Sequence, residues 1–151
     1  MTRTKKRGES GQSLVEFALS ILFVLVLVFG IIELTLFVYT YNVLADAAKE
    51  GVRYAIVHGT GVGAANCSGP GGPGLTCTDS TGTNVQTTVS RYTTLSLHDS
   101  TAMTVTPTYP DSSSVAPSRV RVTIAYNYQP IFGFGLSSVT VNAAAEGRIA
   151  F

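Results

Sequence analysis

The chain opens on polar and charged positions and then turns abruptly apolar. Residues 17–32 carry no charge, and beyond Glu33 the apolar character resumes at Leu34, Leu36, Phe37 and Val38, so the stretch 17–38 measures 22 residues. As an α-helix this is about 33 Å at helical rise, enough to cross a hydrocarbon core of about 30 Å. Lipid offers no partner to backbone N–H and C=O groups, so a helix, which satisfies them internally, is the expected conformation. Apolar positions then recur every three or four residues, at Leu34, Phe37, Tyr41, Leu44, Ala48 and Val52. That spacing predicts that the same helix continues past the span with one face to bury. Asp46, Lys49, Glu50 and Arg53 fall largely off this face, with each acid three residues before a cation, as on a solvated side. The expected helix runs from near Ser13 to near Val57, and Gly59 is its stop.

Residues 59–82 are rich in glycine and hold both cysteines, Cys67 and Cys77. They lack the Gly-x-x-x-x-Gly-Lys-Ser/Thr spacing of a phosphate-cradling loop. In residues 84–97, Val85, Val89, Tyr92 and Leu95 share one helical side, whereas the threonines around them favour a strand. A short helix is the expectation there. The period then changes to two: Met103, Val105 and Tyr109, next Val120, Val122, Ile124, Tyr126 and Tyr128, and last Val139, Val141 and Ala143, with Ile149 and Phe151 beyond. Arg119, Arg121, Thr123, Ala125 and Asn127 form the other side of the middle run, as expected for a sheet wet on one face. Pro107, Pro110, Pro117, Pro130, Gly133 and Gly135 mark the turns.

The predicted fold class is therefore α+β: a long N-terminal transmembrane helix extending into a small extracytoplasmic head with a short helix and a three-stranded antiparallel sheet. Its segments are a basic leader (1–11), the helix and its extension (12–57), a glycine-rich loop (58–83) and the head (84–151).

Composition supports this division. With 151 residues the chain has room for one compact domain, and its charged fraction of 13% is about half that of soluble proteins. The net charge is +1, and the clustered cations are Arg3, Lys5, Lys6 and Arg7. No basic stripe is left for nucleic acid. Cations beside a first span favour the cytoplasmic side, so the leader is expected inside and the head outside. A cleaved secretory signal fits less well, because its apolar region runs to only about 7–15 residues.

Candidate chemistry is sparse. His58 and His98 belong to no zinc-binding pattern, and no metal or cofactor is expected. The adjacent residues His98-Asp99-Ser100 do not make a triad, which is assembled from distant positions. No catalytic residue emerges, and the chain does not read as an enzyme. Cys67 and Cys77, outside the cytoplasm, are expected to form a disulfide. Glu16 stands at the mouth of the apolar span, where a carboxylate needs a partner or a task. In Gly11-Gln12-Ser13-Leu14-Val15-Glu16-Phe17 a glycine precedes the glutamate by five positions. Cutting after Gly11 would give Gln12 a new amine within reach of a neighbouring subunit's Glu16, and that pairing would set the stagger between packed helices.

At this junction the chain resembles prepilin-like proteins of the type IV filament superfamily, and more closely the TadE-like family of tight-adherence (Flp) pilus systems. Gly11 to Leu19, the Phe29-Gly30-Ile31-Ile32-Glu33 exit, the Ala47 to Ala55 helix end and the run from Val120 to Pro130 carry the likeness. The resemblance implies a pseudopilin-like minor component of pilus assembly, cleaved between Gly11 and Gln12 by a prepilin peptidase, with Glu16 and Phe17 in the register segment. It implies as partners other pilin-like subunits, the inner-membrane assembly platform and the lipid bilayer. It places the protein in the inner membrane, single-pass, with the head in the periplasm, or in the pilus itself. Many members carry proline where this chain has Ser20, so no bend in the helix is assumed. The alternative is a membrane-anchored extracytoplasmic binding module that enters no filament.

Overall fold

The computed structural model describes residues 9–97, 99–133 and 137–151, with Glu9 and Ser10 as backbone alone. One helix, α1, occupies Glu9–Val57; α2 follows at Thr83–Thr94, and strands β1 (Met103–Thr108), β2 (Arg119–Tyr128) and β3 (Val139–Arg148) complete the regular structure with two single 3-10 turns. By contact the chain divides into two units, Met1–Leu36 and Phe37–Phe151. The described part of the first is helix with almost every side chain exposed. The expected α+β architecture is present in full, and α1 is uninterrupted at Ser20.

In the second unit the strands form an antiparallel sheet in the order β1-β2-β3. Val105 faces Ile124 across the first ladder, and Ile124 faces Ala143 across the second. β2 alternates as its sequence predicts: Val120, Val122, Ile124, Tyr126 and Tyr128 are all buried. They close on Leu44, Ala47, Ala48, Val52 and Ala55 of α1 and on Val85 and Val89 of α2.

The helical stripe differs from expectation at one turn. Tyr41 is 48% exposed and Leu34 more so, while Thr40 is buried. At this level the sheet covers the Thr40 side of α1, because Tyr128 arrives there and meets Phe37 edge to face, ring centroids 5.4 Å apart. In α2 the third buried position is Thr93 rather than Tyr92, and Leu95 is exposed. The threonines that favoured a strand are accommodated as helix residues: the hydroxyls of Thr87, Thr88, Thr93 and Thr94 each donate to the carbonyl four residues back. Val139 and Phe151 are exposed, at the margins of the core.

Glycines set the close approaches. A β-carbon on Gly51 would lie 2.6 Å from Val89 Cγ2 and 3.3 Å from Val122 Cγ1, and one on Gly147 would lie 2.7 Å from Val52 and Ile56. The N-terminal end of β2, paired with Gly147 through Val120, therefore sits at the level of Val52, and its C-terminal end at Phe37. β2 runs antiparallel to the extension of α1. The lengths agree: fifteen helical residues and eight strand residues both measure roughly 22–27 Å.

Candidate functional site

The first turns of α1 gather the residues singled out from sequence. Gly11, Gln12, Val15, Glu16 and Leu19 line one open depression on the helix, as positions i, i+1, i+4, i+5 and i+8 must. Gln12 and Glu16 are four residues apart, about 6 Å along the axis. Phe17 lies outside this set and is exposed. The helix begins at Glu9, earlier than the expected Ser13, so the Gly11–Gln12 bond lies within helical backbone. A β-carbon on Gly11 would meet nothing within 4 Å. The leader cations Arg3, Lys5, Lys6 and Arg7 lie outside the described residues, as does His98.

Among the described residues one helix, Gly11–Val57, is long and apolar enough to cross a membrane, and none of its most apolar window is buried inside the protein. Leu14, Phe17, Leu22, Phe23 and Ile31 are all exposed. So large an apolar surface requires lipid or other helices around it. On the extension of α1, Lys49 pairs with Asp46 at 2.9 Å and Arg53 with Glu50 at 3.3 Å. These are the solvated pairs expected from their spacing, and the Asp46 carboxylate raises the Lys49 ammonium above its ordinary value.

A second cluster, unseen in the sequence, organises the glycine-rich loop. Cys67 and Cys77 are disulfide-bonded with Cα atoms 5.2 Å apart. Next to them the Asp79 carboxylate accepts hydrogen bonds from Ser68 Oγ (2.5 Å), Thr83 N (2.6 Å) and Asn84 N (2.9 Å). The two amides are the first of α2, so Asp79 caps that helix from outside it and places a negative charge at the positive end of its dipole. Burial alone would push the Asp79 carboxyl up; the Ser68 hydroxyl and the amides of Asn84 and Thr83 outweigh it and hold the group below its ordinary value. The Tyr109 hydroxyl is buried beside this cluster, and its burial pushes it up. The loop is also sewn to the turn after β1: Gly71 N donates to Ser114 Oγ, and Ser114 N to Gly71 O.

The arrangement is a clamp in geometry. The Ser68 hydroxyl is committed to a carboxylate, while the His58 ring stacks on Tyr54 at 3.9 Å with its Nδ1 2.8 Å from Tyr54 O. Among the described residues no group of three or more His, Cys, Asp or Glu side chains is placed to hold a metal ion. Asp79 carries no motif that spacing would reveal; the one hint is an acid four residues before the start of a helix.

Fold and site define a class: a chain with one apolar N-terminal helix, suited to single-pass anchoring, that runs unbroken into a small α+β head. Within it, residues 11–53, most of α1, are similar to the family model described as TadE-like protein. No curated protein and no solved structure gives a significant match to the chain.

Proposed function

We propose that this protein is a pseudopilin-like minor component required for assembly of tight-adherence (Flp) type IV pili. The observation that carries the proposal is the first two turns of α1: Gly11, Gln12 and Glu16 share one face at the head of an exposed apolar helix, inside the segment that matches the TadE-like family. In this reading the leader lies in the cytoplasm and the head in the periplasm. A prepilin peptidase of the inner membrane cuts between Gly11 and Gln12. Glycine is a weak helix former, and Gly11 has no packing neighbour to hold it, so this turn opens at little cost. The freed amine of Gln12 then meets Glu16 of an adjacent pilin-like subunit. Within the bilayer such a pair removes an otherwise costly lone carboxylate and fixes the stagger of the two helices.

The test is the intact mass of the membrane-extracted protein from cells with and without the prepilin peptidase. Loss of residues 1–11 only where the peptidase is present is the expected outcome. Mass spectrometry serves better than chemical N-terminal sequencing, because a freed N-terminal glutamine cyclises and blocks its amine. A full-length chain in both samples would overturn the processing step and leave a membrane-anchored binding module as the working function.

A further inference from the structure

The head has a polarity that packing with other pilin helices does not require. The charged residues of β2 and β3 all lie at one end of the sheet, where Arg119 stands opposite Arg148 and Arg121 opposite Glu146. From there to the other end the chain is uncharged, residues 122–145 holding no Asp, Glu, Lys or Arg. At that end, where Asp99 on the turn before β1 lies near Tyr126, Ile131, Phe132 and Val139 are exposed, Ile131 by 65%. α2 leads to the same end: Leu95, just past its last turn, is 93% exposed, and the chain then enters β1 at Met103, paired with Tyr126.

Single exposed apolar residues are ordinary; here their position gives them meaning. β2 runs back along α1 and ends with Tyr128 on Phe37. Phe37 and Val38 are the last residues of the apolar stretch, and Tyr39 and Tyr41, both exposed, follow immediately. Tyrosines of this kind collect where a span leaves the hydrocarbon for the headgroups. Gln129 to Phe132, the described start of the connection from β2 to β3, follow directly on Tyr128 and so on the level of Phe37.

We propose that Ile131 and Phe132, with Val139 behind them, enter the lipid surface from which α1 emerges and give the head a second contact with the membrane. The proposal rests on membrane anchoring through α1. Without a Lys or Arg between residues 122 and 145, the contact draws on apolar burial rather than on anionic headgroups. A head held at two points rather than one loses its freedom to swing about the helix exit. It presents its charged end, with the Asp111–Arg119 pair, away from the membrane.

The experiment is site-directed spin labelling of the full chain in phosphatidylcholine vesicles. Both natural cysteines are bonded to each other, so a single new cysteine takes the label. Three variants are compared, Ile131→Cys, Thr108→Cys at the charged end and Leu25→Cys within the span, by accessibility to oxygen, which concentrates in lipid, against a water-soluble nickel chelate. The expected oxygen-to-nickel ratio at Ile131 is several-fold above that at Thr108, on the side of Leu25, and unchanged when anionic lipid is added. Phe132→Cys repeats the measurement at a second position. An Ile131 ratio equal to that of Thr108, with Leu25 lipid-exposed, would overturn the second contact and leave the anchor intact. A nickel-accessible Leu25 would remove the anchor and the inference together. An Ile131 label shielded from both reagents would replace lipid with protein, a second copy or a pilin-like neighbour, as the occupant.

Discussion

Ser68 donates its hydroxyl to the Asp79 carboxylate across eleven residues of chain, and the same carboxylate receives the first two amides of α2. One side chain thus joins the disulfide loop to the helix behind the sheet. Asp79→Ala would leave a buried serine hydroxyl and two helix-terminal amides without their acceptor. The expected loss of stability is about 2–3 kcal/mol, from the cap together with a buried bond to a charged group. Denaturant unfolding of the full chain in detergent micelles, followed by the near-ultraviolet signal of its tyrosines, measures this. A loss below about 0.5 kcal/mol would put the cap within the range of an ordinary surface substitution.

Acid should loosen the head through two carboxylates. Hydrogen bonds from the Arg119 side chain and from its backbone N–H hold Asp111 down to about 2, and Asp79 is also held below its ordinary value. A carboxyl depressed by folding adds stability that is complete above its unfolded value, about 3.9, and that disappears as the pH falls through the folded one. The head should therefore keep its melting temperature down to about pH 4–5 and lose it progressively toward pH 2. Asp111→Asn should flatten part of that decline, and curves that superimpose would show that the exposed pair with Arg119 contributes nothing.

Much of the fold is legible in the sequence because burial there is periodic. β2 buries every second residue from Val120 to Tyr128, so its alternation survives translation into structure. The helical stripe is read less well at Tyr41, since apolarity gives the face but not which side of it a strand covers; only the arrival of Tyr128 at Phe37 decides that. The threonines of α2 mislead because their carbonyl partners lie within the helix itself. Glu16 is visible for the opposite reason, as a charge where apolar neighbours make any charge conspicuous. Asp79 is one acid among polar loop residues, and its partners come together only after the loop has closed.

Gly59 illustrates the same limit. It is legible as a helix stop, yet its backbone is extended (φ −76°, ψ −171°), a conformation open to alanine. The constraint is space: a β-carbon there would collide with the carbonyl oxygens of Phe151 and Ser114. The Ile149 side chain also stands in the way, its Cγ2 against that β-carbon, but the backbone cannot yield as a side chain can, because those strands of chain are tied down by Thr60 N to Ser114 O and Ala150 N to Ile56 O. Gly59→Ala should destabilise the head by about 1–3 kcal/mol, the usual cost of overpacking. Wild-type stability in the same unfolding assay would mean that the C-terminal segment does not lie across the end of α1.

The Cys67–Cys77 bond closes ten residues of sequence separation. In the chain-entropy account this adds about 2–3 kcal/mol. Replacing both by serine should leave membrane insertion unchanged, since neither touches the span, while residues 59–82 become the first site of cleavage in limited proteolysis. Hydrogen bonds of the loop to Ser114 and Asp79 would persist, so the expected change is faster nicking rather than collapse of the sheet. An unchanged digestion rate would show that those polar ties hold the loop by themselves.

Glu16 offers the sharpest separation between anchoring and assembly. Its side chain is exposed on the helix beside Gln12 and Val15, where a carboxylate opposes insertion by up to about 2.5–3.5 kcal/mol at the bilayer centre and by less near the interface. Glu16→Ala should therefore enter the membrane at least as well as the wild type. If Glu16 also receives the amine of a neighbouring subunit, the same change removes one half of an ion pair, and the association of the two helices should fall well below the wild-type level. Glu16→Gln keeps the shape and the hydrogen-bonding capacity without the charge, so it isolates the electrostatic part. Co-purification of pilin-like partners from detergent extracts, normalised to the amount of inserted protein, gives both numbers at once. Insertion retained with association lost in both variants supports the register role. Association retained in both would sink it, and association lost in alanine but kept in glutamine would assign the contact to hydrogen bonding instead of charge.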